Sequence, residues 1–167
     1  MLNRKEELFM KLRKKIMTAA CVTFLLAGVS GCGSEEETVV IDIDGLVTEL
    51  TETVMTDDIL TEIDGDYMSE LYGISEELLA DYHVLLSSGA TANEIAVFEC
   101  NETTGVEAVQ SGIETRIQDQ IDSYSSYGPQ EVPKLESAEI YVQGTYVAVC
   151  VSSDNAKTDE IMKDSGF

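Results

Sequence analysis

Residues 104–124 read TGVEAVQSGIETRIQDQIDSY, and the rest of the chain is arranged around what this stretch becomes. Val106, Val109, Ile113, Ile117, Ile121 and Tyr124 recur at steps of three and four residues, which gathers them into one stripe of an α-helix. Glu107, Glu114, Gln118, Asp119 and Asp122 fall on the other faces. The pattern predicts an amphipathic helix of roughly five turns. Thr104 and Glu107 have the spacing of a capping box, in which hydroxyl and carboxylate each satisfy a free backbone N–H. Gly128, Pro129 and Pro133 then end the helix in a loop.

Each side of this helix carries a pair of strand-like runs. Upstream, Asp81 to Ser87 and Glu94 to Cys100 are separated by small and polar residues, Ser88 to Asn93, which read as a hairpin loop. Downstream, Ala138 to Val142 and Thr145 to Val151 are joined by Gln143-Gly144, where glycine supplies the positive φ of a tight connection. Two hairpins around one helix predict an α+β domain, an antiparallel sheet with helices packed on one face. Asp154 can cap a last helix holding Ala156, Ile161 and Met162. Before the first hairpin, Leu46, Val47, Leu50 and Val54 fall at helical spacing between Gly45 and Thr56. A second helical piece carries Ile59, Leu60, Ile63, Met68, Leu71 and Tyr72, with Gly73 placed as its left-handed cap. The chain shows no internal repeat and no nucleotide-binding glycine pattern.

The amino-terminal part follows another logic. Lys11, Arg13, Lys14 and Lys15 precede an uncharged run from Ile16 to Gly28 and the small residues Ser30 and Gly31, the layout of a bacterial secretory signal. Glu6 and Glu7 suit such a signal poorly, so Met10 is a better start than Met1. Val29-Ser30-Gly31-Cys32 resembles the lipobox of bacterial lipoproteins. The resemblance implies that Cys32 is acylated and becomes the new amino terminus, and that two or three acyl chains hold it stably in a membrane. The expected organisation is a signal peptide over residues 1–31, a lipidated cysteine and acidic tether over 32–44, and one domain over 45–167.

Charge narrows the function classes. Six of the 10 basic residues lie in the signal segment, but only Glu6 and Glu7 of the 32 carboxylates do. What remains sets Arg116, Lys134, Lys157 and Lys163 against thirty acids, a formal −26. Such a surface repels phosphate backbones, which excludes nucleic acid as a partner. The simplest reading of the acidity is a solubilising surface.

Leu71-Tyr72-Gly73-Ile74, Glu94-Ile95-Ala96-Val97-Phe98, Arg116 within the long helix and Gly144-Thr145-Tyr146-Val147-Ala148 together resemble a family of lipoproteins designated domain of unknown function 4358. The resemblance spans roughly residues 45–167. It implies fold and location, and it brings no catalytic residue, because its matching positions are mostly core and turn.

The residues able to carry chemistry are few. His83 is the single histidine; with Asp81 and Ser87 or Ser88 it could enter a hydrolytic triad, but no nucleophile-elbow pattern accompanies it, and an ordinary strand histidine is expected. Asp42-Ile43-Asp44-Gly45 and Glu62-Ile63-Asp64-Gly65-Asp66 look like fragments of a calcium loop. Counting from Asp42 or from Asp64 puts Val47 or Ser69 where a glycine is required, so capping and turn roles are expected. Cys100 and Cys150 end predicted strands; outside the cytoplasm they can either bond or remain separate thiols, and separate thiols are expected. Arg116 is the sole arginine beyond the signal segment. It either pairs with Asp119 or Gln120 on its own helix or clamps onto the sheet or a ligand anion.

No cofactor is implied. The sequence points to a protein lipid-anchored at the outer face of a cell membrane, acting as a binding or interaction module with an envelope protein as one class of partner. The alternatives are a small envelope hydrolase using carboxylates and a cation-dependent structural domain.

Overall fold

The computed structural model describes residues 40–56 and 58–167. In chain order the elements are α1 (Ile43–Thr53), β1 (Thr61–Glu62), α2 (Gly65–Tyr72), β2 (Leu79–Leu86), β3 (Glu94–Cys100), α3 (Val106–Tyr127), α4 (Val132–Glu136), β4 (Ile140–Gln143), β5 (Tyr146–Val151) and α5 (Asn155–Asp164). The strands form one sheet in the order β1-β2-β3-β5-β4, every neighbouring pair antiparallel. Both expected hairpins are present, β2 with β3 and β4 with β5, and the fold is α+β.

The sheet is covered on both faces, where helices on one face were expected. The reason lies in two of the inner strands, β3 and β5. Successive side chains of a strand point to opposite sides, and β3 and β5 are apolar at nearly every position. Ala96, Phe98, Val147, Val149 and Val151 face a cluster with Met68 and Tyr72 of α2, Val109, Ile113 and Tyr124 of α3, and Leu135 of α4. Ile95, Val97, Tyr146, Ala148 and Cys150 face the opposite cluster, with Leu46, Val47 and Leu50 of α1 and Ile161 and Met162 of α5. A strand buried on both sides reads as a continuous apolar run, and one helical layer would leave half of that run in water.

Several boundaries differ from those the sequence suggests. Helix α1 begins at Ile43 because the Asp42 carboxylate accepts the N–H of Gly45 at 3.1 Å, and Ile41 and Ile43 are buried in the core. The piece expected to be helical from Ile59 to Tyr72 is divided. Thr61 and Glu62 pair with Leu86 and Leu85 as an edge strand, and helix starts only after Asp64, whose carboxylate accepts from Tyr67 N–H at 3.0 Å. Alternating β-branched Ile59, Thr61 and Ile63 favour extended chain at this point. Gly73 ends α2 at φ 66° as expected.

The capping box at Thr104 does not form. A 3₁₀ turn over Thr103–Gly105 precedes α3, no side chain caps the helix, and the Thr104 hydroxyl contacts Glu102 at 3.4 Å instead. The helix itself is 22 residues long and leaves the sheet side at Gly128. Pro133 then lies in the first turn of α4, where its missing N–H costs nothing. Asp154 caps α5 through Lys157 N–H, as expected.

One close approach fixes how α2 meets α3. A Cβ at Gly112 would lie 2.6 Å from the backbone oxygen of Tyr72 and 2.8 Å from Ile74. Glycine in mid-helix is ordinarily a loss of about 1 kcal/mol relative to alanine. Here it lets the carboxyl end of α2 rest on the α3 backbone, which brings Tyr72 within reach of β3.

Candidate functional site

The first residue of β3, Glu94, is 3% exposed. A buried carboxylate needs several donors to offset lost hydration, and three elements supply them. Tyr72 at the end of α2 donates its hydroxyl to Oε1. Arg116 Nη2 and Gln120 Nε2, one turn apart on α3, donate to Oε2 at 2.9 and 2.5 Å. The Arg116 guanidinium carbon sits 6.0 Å from the Tyr72 ring centroid, and Tyr72 meets Phe98 edge-on at 5.5 Å. Burial, and then the Glu94 charge, push the Tyr72 hydroxyl well above its ordinary pKa, so it remains a donor. For Arg116 burial acts downward, but the charge and hydrogen bond of Glu94 outweigh it and raise the guanidinium. Among the described residues, Arg116 Nε is the one buried side-chain nitrogen or oxygen with no hydrogen-bond partner.

A half-open cleft of about 310 Å³ lies against this network, lined by Glu94, Arg116 and Gln120 together with Tyr67, Tyr127, Asp119 and the loop before β3. Tyr67 and Tyr127 are 48% and 62% exposed. The loop wall is tied from three directions. Asp58 accepts from the Thr91 hydroxyl and from Asn93 Nδ2 at 3.3 Å. Glu131 accepts the Ala92 N–H at 3.0 Å and pairs with Lys134 at 2.9 Å, while Lys134 also reaches Asn93 Oδ1 at 3.0 Å. Tyr124 donates to the Thr91 carbonyl. The Thr91 hydrogen bond, first among several, lowers the Asp58 pKa; burial acts upward on Glu131, but Ala92 N–H and Lys134 bring it below its ordinary value. A wall held this way is set before any ligand arrives.

The other sequence candidates are placed as follows. Arg116 takes the clamp onto the sheet: its ion-pair partner is Glu94, and Gln120, named as its helical neighbour, is instead a second donor to the same carboxylate. His83 is not in a triad. Its Nδ1 lies 2.6 Å from Glu62 and its Nε2 3.0 Å from Asp44, while Ser87 bonds to Thr91 at the cleft. Burial acts downward on the imidazole, but Glu62, Asp44 and Asp81 raise it above its ordinary pKa. Asp42 and Asp64, from the calcium-like fragments, serve as helix caps. Among the described residues no group of three or more His, Cys, Asp or Glu side chains is placed to hold a metal ion. Cys100 and Cys150 are free and buried, one in each apolar cluster and so on opposite faces of the sheet. Burial raises both thiols, Cys150 to about 12, which makes them inert packing groups. Residues 1–31, Cys32 and the acidic tether through Glu37 lie outside the described residues. Among those described, no helix is long and apolar enough to cross a membrane.

Sequence reasoning missed Glu94, Tyr72 and Gln120 as a unit. The available signal was a glutamate directly before the apolar run Ile95–Phe98, with the only arginine of the domain on the long helix that follows.

These features define a small α+β domain with a polar cleft over a buried ion pair. The chain belongs to the family described as domain of unknown function (DUF4358), whose model matches residues 53–152. The matched segment contains all five strands, α2, α3, α4 and every residue of the Glu94 network, but only the last residue of α1 and none of α5. No curated protein and no solved structure matches the chain.

Proposed function

We propose that the protein is a lipoprotein held at the outer face of a cell membrane through Cys32, and that its domain is a binding module whose ligand enters the cleft beside Arg116. The anchor reading rests on the basic block, the apolar run and Val29-Ser30-Gly31-Cys32. The observation that carries the binding reading is the cleft itself: about 310 Å³, walled by a pre-tied loop, and lined by the Arg116 guanidinium. That volume lies at the small end of the range for small-molecule sites, about 300–1,000 Å³.

A carboxylate-based hydrolase draws less support from the same geometry. General acid–base work needs a carboxyl group free to exchange a proton with substrate, and both oxygens of Glu94 are taken by Tyr72, Arg116 and Gln120. Asp119, the other carboxylate of the lining, is exposed.

The anchor is tested with Cys32→Ser expressed in a bacterial host that processes lipoproteins. The expected result is a wild-type chain that takes up labelled fatty acid and stays with the membrane fraction, and a variant that does neither. Unchanged processing and retention of the variant would overturn the anchor.

A further inference from the structure

The chemistry of the cleft selects among ligand classes. Building on the binding reading, we infer that the occupant is a neutral saccharide, one or two rings of a glycan chain, stacked on Tyr67 and Tyr127 and hydrogen-bonded between Arg116 and Asp119. Four observations lead there.

The lining is polar, with hydroxyl, amide, guanidinium and carboxylate groups side by side from Ser123, Asn93, Gln120, Arg116 and Asp119. A ligand must therefore present donors and acceptors alternately and closely spaced, as the neighbouring hydroxyls of a sugar do. An apolar ligand would leave these groups unmatched, and each one buried without a partner loses its hydration. Next, two exposed tyrosines from different elements, α2 and the end of α3, border the same cleft. An aromatic ring offers an apolar face with a polar tip, which suits a sugar ring whose C–H groups lie on one face and whose hydroxyls lie at the edge. Tyr127 is steadied for this role by Tyr124, whose ring centre lies 4.9 Å away.

Charge removes the ionic alternatives. The single cation of the lining already spends one donor on Glu94, and the domain around it is strongly acidic, so an anion meets net repulsion. A cationic ligand would sit beside the Arg116 guanidinium with only the exposed Asp119 to balance it. Finally, the cleft is open along one side, so a chain can enter with its remaining units in solvent, and its size suits roughly one or two rings held at a time.

The test uses the domain in its full chain, detergent-solubilised, with neutral tetra- to hexasaccharides of β-linked glucose and N-acetylglucosamine as probes, read by calorimetry and by NMR of the tyrosine rings. Expected is saturable binding in which Tyr127→Phe is retained and Tyr127→Ala is about tenfold weaker. Both variants alter an exposed ring, so folding is preserved; Asp119→Asn is expected to weaken binding severalfold. Two outcomes overturn the inference. If oligouronates, a lysine-rich peptide or a neutral peptide shift the same tyrosine signals and the neutral saccharides do not, the cleft binds but the saccharide assignment is wrong. If no member of the panel perturbs Tyr67 or Tyr127, the saccharide assignment and the binding reading fall together.

Discussion

The two faces of the sheet are built by different rules. The face under α1 and α5 is largely apolar, and its charged link, His83 with Asp44 and Glu62, lies at the rim. The face under α2, α3 and α4 has an apolar cluster too, but at one end it gives up packing to hold Glu94, Arg116, Tyr72 and Gln120 out of water. A buried ion pair is seldom more stabilising than well-packed hydrophobic side chains of similar volume. Stability therefore does not explain why one face keeps it. Departures from local consistency concentrate where a protein needs a site, and this departure sits against the cleft. The family match divides the molecule along the same line, since it contains the helices of the polar face and stops short of those on the other.

The sharpest way to break this contrast is to remove one member of the pair. Arg116→Ala leaves Glu94 buried with a charge partner missing, and the expected loss is about 3–5 kcal/mol in urea unfolding. Arg116→Met combined with Glu94→Leu is expected to recover most of that. If the single variant costs no more than an ordinary surface change, within about 0.5 kcal/mol, the polar face is no different in kind from the apolar one.

A smaller effect is expected at the helix contact that positions Tyr72. Gly112→Ala should raise helix propensity by about 1 kcal/mol, yet the added carbon meets the Tyr72 carbonyl and Ile74. The expected net result is destabilisation of about 1–3 kcal/mol, with the Tyr72 ring resonances shifted. A more stable variant with an unmoved Tyr72 would show that the contact does not set the network.

The smallest effect belongs to the apolar face and sharpens the contrast through pH. The His83 pKa is raised in the folded protein by Glu62, Asp44 and Asp81 against the downward pull of burial. A raised pKa means the stabilisation is complete below about pH 6.5, the unfolded value, and is lost as pH climbs through the folded one. Thermal melts at pH 6 and pH 8.5 and fixed ionic strength should differ by less in His83→Gln than in wild type. The contribution is expected to stay below about 1 kcal/mol, because the carboxylates are solvated. An identical pH dependence in the variant would remove His83 from the account.

Much of this fold was legible in the sequence, and the parts that were not share a cause. Val106 to Tyr124 announced a helix because its period is internal to the segment, and Gly73, Gly144 and Asp154 announced turns and caps because their geometry is local. The Glu94 to Arg116 bond joins residues 22 apart across two elements, and no local pattern records which strand residue a helix will meet. Thr104 and Glu107 have the spacing of a capping box, but a 3₁₀ turn in which Gly105 N–H bonds the Glu102 carbonyl takes its place. Two-sided burial of β3 and β5 was written in their unbroken apolar runs; reading the hairpins by their turns alone hid it. Helix α1 starts at Ile43, two residues before the expected Gly45, because its apolar stripe begins at Leu46 while the cap at Asp42 sets where the first turn closes.

The outer strands carry a consequence for behaviour at high density. Strand β1 has two residues and β4 has four, so neither margin of the sheet offers a long row of open N–H and C=O groups to another chain. Long, flat margins are where folded proteins begin to pair edge to edge and aggregate. A domain with margins this short, and with an excess of like charge besides, is suited to crowding: copies brought close together on a surface should remain separate bodies, free to engage something other than themselves.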